Sequence, residues 1–393
     1  MAVAAAAPAA SALRIDRREL AGAVGDVGVL VPIAVALIVS NGLSATAVLL
    51  PAGLLYLAVA LVYRLPVPVQ PLKAFGAIAI AKGLGANEIA AGALLMGVIF
   101  VVLGRSGLID LAARAFPKAI IRGVQLSVGL LFLKIAWGLV DHPPKAFGAH
   151  ALSAGWAIPL GALVLVLAIA LRQRMIALVL VLLGMVLALT QTAGSLSLGP
   201  SVLQLPSLDG PVLWSALTLL VIPQLPLTFA NSCIATSDAA RTYFGARIRP
   251  GQLATSLGLA NLFSAAIAGM PVCHGAGGMT AHRAFGARGA GAPLAIGTGL
   301  VIIAVGLGAS LATLLAAFPL AILAGMLAAA GLLHIGLLRD LDGARSWSIA
   351  LLVGTVGLLS NLAIGLALGL VLWWLPEHLA RRGRAPTPHA RPS

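Results

Sequence analysis

Charged residues are scarce in this sequence. Asp, Glu, Lys and Arg make up 9% of its 393 residues, where a soluble domain has roughly 25%. So few charges cannot cover a water-soluble fold of this length, which excludes a soluble globular protein. Aromatic residues stand at 5% and offer no stacking platform for bases. The net charge of +14 is therefore not the mark of a nucleic-acid binder. The two cysteines, Cys233 and Cys273, lie in apolar segments and provide neither a disulfide framework nor a CxxC metal site. No nucleophile–base pair, metal-ligand cluster, Walker motif or dinucleotide fingerprint occurs, and Gly275, Gly277 and Gly278 do not form GxGxxG. No enzyme, metal or cofactor is expected. The N-terminus also lacks the apolar core and cleavage site of a signal peptide.

Apolar residues, by contrast, make up 60% of the chain, and mean hydropathy is +1.06. Lipid is the solvent that suits such a chain, and a hydrocarbon core of about 30 Å needs about 20 helical residues. Fourteen apolar stretches are found, at 20–40, 45–63, 68–83, 87–104, 118–139, 153–171, 175–193, 212–237, 251–269, 271–285, 293–315, 319–335, 346–360 and 362–379. The last two could also form a re-entrant hairpin. The expected fold is an all-α polytopic membrane protein of about 14 transmembrane segments. Residues 1–19 and 380–393 are expected to be disordered cytoplasmic tails, with no cytoplasmic regulatory domain.

Charge asymmetry tests this reading. With the N-terminus inside and every stretch crossing, 21 Lys and Arg fall inside and 2, Lys82 and Lys145, fall outside. Lys73 and Lys134 are left within the membrane, completing the 25. If 68–83 and 271–285 did not cross, the nine cations from Arg105 to Arg249 would move outside. Both short segments are therefore expected to cross. The termini are expected in the cytoplasm, and the protein in the plasma or inner membrane.

These two segments resemble each other. One holds Pro66-Val67-Pro68-Val69-Gln70-Pro71-Leu72-Lys73, the other Met270-Pro271-Val272-Cys273-His274-Gly275-Ala276. They are the third of each block of seven, so the blocks 20–193 and 212–379 read as an inverted repeat, the second running through the membrane in the opposite sense. Paired broken segments at matching places in inverted halves point to a transporter's substrate site. Proline resists the helix interior, so each segment should begin extended and turn helical past its prolines. The free amides of the half-helices, near Ala74, Gly275 and Ala276, would then face a mid-membrane cavity. Such N-termini favour an anion, and two opposed ones suit a dianion.

Polar residues in the apolar stretches supply further candidates. Lys73, on the first turn of its half-helix, costs about 2.5–3.5 kcal/mol near mid-bilayer and reads as a counter-charge to substrate. A structural ion pair or snorkelling is the alternative. Asp26 could pair with Lys73, carry a coupling proton, or lie at the cytoplasmic edge. Gln224, Thr228 and Asn231 stand at i, i+4 and i+7, on one helical face that should look into a cavity or bond a neighbouring helix. His274 could donate to the anion, relay a proton, or be a packed, hydrogen-bonded core residue. Lys134 is expected to snorkel. Glu88, Asp110 and His334, at segment edges, are expected to be solvated.

The stretches Gly22-Ala23-Val24-Gly25-Asp26 with Pro32, Pro66 to Lys73 including Gln70, Pro223-Gln224-Leu225-Pro226-Leu227-Thr228 with Asn231, and Met270 to Gly278 resemble the molybdate transporter family, a branch of the sulfate permease superfamily. The resemblance runs from about residue 20 to 380. It implies a core and a gate domain built from a seven-plus-seven inverted repeat, with substrate between segments 3 and 10 and segments 1 and 8 lining the site. It also implies uptake of molybdate, with sulfate as a competitor. Proton coupling and a homodimer are left open. A nucleobase or bicarbonate permease of the same architecture is the alternative, and a non-transporting membrane scaffold a more distant one.

Overall fold

The computed structural model describes residues 13–23, 27–109, 111, 116–170, 175–192 and 196–382. Asp26, Asp110 and most of the two expected tails lie outside these residues. In chain order the helices are α1 (Arg17–Ala23), α2 (Val27–Val39), α3 (Ala45–Val62), α4 (Lys73–Lys82), α5 (Ala86–Ser106), α6 (Lys118–Asp141), α7 (Ala154–Ala170) and α8 (Met175–Thr192). They continue as α9 (Gly210–Ala216), α10 (Ile222–Leu227), α11 (Thr236–Phe244), α12 (Pro250–Ala266), α13 (Ala276–Ala284), α14 (Gly291–Gly306), α15 (Gly308–Ala316), α16 (Leu320–Gly336), α17 (Ala344–Leu359) and α18 (Leu362–Arg382). Two short strands, β1 (Gln70–Pro71) and β2 (Val272–Cys273), precede α4 and α13.

Large apolar side chains cover the outside. Trp156, Leu163, Val186, Leu333 and Val371 are all exposed, as expected where lipid is the solvent. Five of the described helical stretches are long and apolar enough to cross a bilayer: 45–62, 86–106, 118–141, 210–244 and 320–340. The pair α14 and α15 makes a sixth only if read as one span, because it bends by 93° at Leu307. The stretch 293–315 is therefore not one rod. Gly308 sits at this bend so close to segment 2 that a Cβ there would lie 2.2 Å from Thr46 Oγ1. Other apolar helices, such as 154–170 and 344–359, are shorter. Length alone thus gives fewer spans among the described residues than fourteen stretches.

The tightest helix packing has a regular pattern. It joins segments 4 and 9 (α5 on α12), 2 and 11 (α3 on α14), 5 and 12 (α6 on α16), 5 and 13 (α6 on α17), and 6 and 12 (α7 on α16). Exchanging each segment for its counterpart seven places away turns 2–11 into 9–4 and 5–13 into 12–6, and leaves 5–12 unchanged. Every exchange leads to a contact that is present. Small residues allow these approaches. A Cβ on Gly53 would strike Val301, and one on Gly258 would strike the Val101 amide at 2.7 Å. By their contacts the helices form two packed sets, segments 1–4 with 8–11 and segments 5 and 6 with 12–14, while segment 7 (α8) touches α15 and α2 on one side and α16 and α7 on the other.

The N-terminal tail ends earlier than expected. Helix α1 starts at Arg17, and the Glu19 carboxylate is buried, 7% exposed. It accepts from the amides of Arg288 (2.8 Å), Gly289 (2.9 Å) and Ala292 (2.9 Å). Glu19 thereby caps α14 from a distant part of the chain, satisfying amides the helix cannot. His334 also departs from expectation. It is 9% exposed, donates from Nδ1 to the Ala330 carbonyl at 2.8 Å and stands edge-on to Phe132. Glu19→Ala should lower stability by about 2–3 kcal/mol, since hydrogen bonds to charged groups contribute ~1.5–3 kcal/mol. Glu19→Gln, which keeps one acceptor oxygen, should lose less. Unfolding in detergent measures both, and an unchanged midpoint for Glu19→Ala would contradict the cap.

Candidate functional site

The site is built around β1 and β2, which pair antiparallel with Gln70 opposite Cys273 and Pro71 opposite Val272. The prolines bring this about. Pro66, Pro68 and Pro71 in one segment and Pro271 in the other keep the chain extended before either helix can start. The turns into both segments use residues with positive φ, Arg64 at 53° and Ala268 at 50°. Helices α4 and α13 then begin at equivalent positions: Lys73 and Ala276 are 203 residues apart (276 minus 73), as are Pro68 and Pro271 (271 minus 68). Because the strands are antiparallel, the helices leave the pair in opposite directions with both N-termini beside it.

Side chains of the surrounding helices hold this crossing. Asn261 on α12 acts as a third strand for β2: its Oδ1 accepts from the Val272 amide (2.7 Å) and its Nδ2 donates to the Val272 carbonyl (3.0 Å). Ser264 donates to the Met270 carbonyl. His274 is fully buried. Its Nδ1 bonds the Pro68 carbonyl at 3.0 Å and its Nε2 bonds Ser256 Oγ at 2.9 Å. Both ring nitrogens are thus engaged, Nδ1 tying the two broken segments together and Nε2 bonding α12, which is the packed reading of this residue rather than the anion-donor reading. Ser256 in turn receives Tyr63 Oη at 3.0 Å.

The start of α4 is held by segment 8. Gln224 Oε1 accepts from the Phe75 amide at 3.1 Å, and Gln224 Nε2 donates to Thr228 Oγ1 at 3.0 Å. Both side chains are buried, 2% and 0% exposed. They support the helix terminus from behind. Asn231 does not continue their face with simple α-helical spacing, because Leu217–Val221 and Thr228–Ala235 are π-helical. Pro223 and Pro226 explain the irregularity: each lacks an N–H and crowds the carbonyl four residues back, so the ladder widens around them.

Four expected residues do converge. Lys73 Nζ donates to Gln70 Oε1 at 2.7 Å. A Cβ built on Gly275 would lie 3.0 Å from Gln70 Oε1 and 3.3 Å from Asn231 Nδ2. Gln70, Lys73, Gly275 and Asn231 therefore border one small space. The amides of Lys73 and Ala74, and those of Ala276, Gly277 and Gly278, find no acceptor among the described residues. No side chain caps α13, and Gly277 is exposed with open space where a Cβ would be. An ammonium, a carboxamide and two sets of helix-start amides form a donor-rich cup, chemistry that suits an anion. Asp26 lies outside the described residues. Asn261, Ser256 and Tyr63 escaped the sequence reading, although a lone Asn inside an apolar stretch was a signal of buried polar work.

Comparison with known proteins accords with this arrangement. A family model described as "Molybdate transporter of MFS superfamily" matches residues 18–132 and 216–333, the blocks that contain both broken segments. Molybdate transporter 1 of Arabidopsis thaliana is 30% identical over 400 residues, covering 90% of this chain and 88% of its own. Molybdate transporter 2 of the same plant is 28% identical, covering 91% and 86%. In fold, the chain aligns with the transmembrane domain of the cyanobacterial bicarbonate transporter BicA at TM-score 0.61, 18% identity, over 91% of this chain and 96% of that one. It aligns with SLC26A9 at TM-score 0.67, 15% identity, over 93% and 66%. The fold is thus shared with SLC26 proteins, although the family's description carries an MFS label. The relatives are named as transporters. With more than half the sequence matched by that family model, the chain belongs to the molybdate transporter family.

Proposed function

We propose that this protein is a secondary active transporter of a tetrahedral oxyanion, molybdate with sulfate as a competitor, working in the cell membrane with both termini in the cytoplasm. The observation that carries the proposal is the convergence of Lys73, Gln70 and Asn231 on two opposed helix starts. Each helix terminus presents about half a positive charge. With the lysine, the cup holds about two positive charges, matching a dianion. Bicarbonate, the cargo in the name of the neighbour BicA, is a monoanion and would leave the cup with excess positive charge. An uncharged nucleobase has no use for Lys73.

The exchange-related contacts support the inverted seven-plus-seven repeat and the division into a core that carries the site and a gate. Alternating access then follows as movement of one set against the other. Each half-site faces a different side through its own helix, and the substrate sits at their junction. Proton coupling, with Asp26 as candidate carrier, belongs to the same proposal.

Uptake of labelled molybdate into proteoliposomes is the test. Tungstate and sulfate should compete and uracil should not; absence of oxyanion uptake with uracil carried instead would overturn the proposal. Collapsing the pH gradient should reduce uptake, and undiminished uptake would count against proton coupling. Lys73→Ala should weaken molybdate binding by at least about tenfold, ~1.4 kcal/mol, in protein that still folds; unchanged affinity removes Lys73 from the site. Gly275→Ala probes the cup by shape. Its φ of −167° is extended backbone open to Ala, so the added methyl acts sterically, against Gln70 at 3.0 Å. It should also weaken binding by about tenfold while leaving the melting temperature nearly unchanged, and calorimetric titration measures it.

A further inference from the structure

The far end of α4 opens onto a second cavity, of about 120 Å³. Sites for drug-sized ligands span ~300–1,000 Å³, so this one is suited to a small ion. Its wall is formed by the last turn of α4, the outer half of α6, the π turn of segment 8 and the break between α17 and α18. The polar lining comprises Lys82, Lys134, Ser360 and Asn361, and no lining residue is acidic.

Two lysines across one small cavity need explaining. Two ammonium groups facing one small space repel unless solvent or a counter-ion screens them. Both side chains are exposed, and neither has an ion pair or hydrogen bond among the described residues. Lys82 alone could be read as offsetting the negative end of α4, but that role requires no partner on α6. Chance is also a weak account. The charge distribution leaves only four Lys or Arg away from the cytoplasmic side, and two of these four line the same cavity. Asn361 spends its Oδ1 on the Ala363 amide at 2.7 Å, so its NH₂ group remains as a donor. The Ser360 hydroxyl lies beside it. The cavity thus offers donors and positive charge without a carboxylate.

Its position adds a use. Helix α4 has ten residues and so runs about 15 Å from the cup at Lys73 to this cavity. The cavity also lies on the seam between the two packed sets, with α4 and segment 8 on one side and α6, α17 and α18 on the other. We propose that this cavity is a recruitment site that takes the tetrahedral oxyanion on the face opposite the arginine-rich loops, before it passes along α4 to the central cup. The proposal rests on the oxyanion-transport reading above.

The test uses molybdate itself and two readouts. In proteoliposomes, Lys82→Gln with Lys134→Gln should raise the apparent KM for molybdate about fivefold with Vmax little changed, and flatten the salt dependence of uptake, as loss of steering charge does. Restoring charge with Lys82→Arg and Lys134→Arg should recover both. An unchanged KM and salt profile in the Gln pair overturns the site. Direct binding separates this outcome from failure of the transport reading. In a Lys73→Ala background, weak molybdate binding should persist and should vanish when the Gln pair is added. If Lys73→Ala protein binds no molybdate, or binds it equally with and without the two lysines, the cavity is not an anion site, whatever the uptake assay gives.

Discussion

The antiparallel crossing of β1 and β2, with Gln70 opposite Cys273 and Pro71 opposite Val272 and the Leu72 amide bonded to the Pro271 carbonyl at 3.2 Å, sets the geometry on which the rest of this molecule depends. Extended backbone within a membrane survives only where its polar groups are satisfied by protein or water. Here each broken segment does this for the other, with Asn261 and Ser264 serving one strand and His274 reaching the other. The helices that follow therefore start at fixed places, next to each other and pointing apart. Without the pairing, two short helices of ten and nine residues would have no reason to hold a common register, and their free amides would not share a space.

The symmetry of the crossing is broken where the chemistry needs it. Lys73 opens α4, and the equivalent position of α13 is Ala276. On the proposed reading, two lysines would overcharge a site for a dianion and add a second cost of burying an ammonium. Gln224 shows a second asymmetry. It occupies one amide of α4 through Phe75, while α13 has no side-chain cap. The amides of α13 are consequently the more available, and the lysine is on the helix whose own amides are partly used.

Much of this was legible from residue types alone. The prolines of both broken segments and their spacing of half a chain specify where the chain must be irregular. Lys73 announced itself by its cost. What could not be read depends on contacts distant in sequence. Gln224 and Thr228 keep their helical spacing and bond each other, but Gln224 is turned to the Phe75 amide, a contact 149 residues away, and the π turn from Thr228 shifts Asn231 off their face. Glu19 read as part of a disordered tail because its three partners lie some 270 residues away. The 93° bend at Leu307 has no proline to mark it.

The same crossing constrains how the proposed transport cycle can move. His274 links Pro68 to Ser256, Asn261 holds Val272, and Asn41 on the α2 side donates to the carbonyls of Ala79 and Leu84 at the end of α4. These bonds all fall within one packed set, and breaking them would leave buried polar groups unsatisfied at ~1–3 kcal/mol each. The second set has its own ties, with Asp340 bound to Arg122 at 2.5 Å and to Lys118 and Arg345 stacked on Trp373. The most extensive helix packing lies within each set, and the sets meet chiefly where α4 lies against α6 and α2 against α16. In the proposed cycle, the path of least cost is a rigid shift of one set past the other along the face of α4, which would carry the cup intact and alternately expose its two ends.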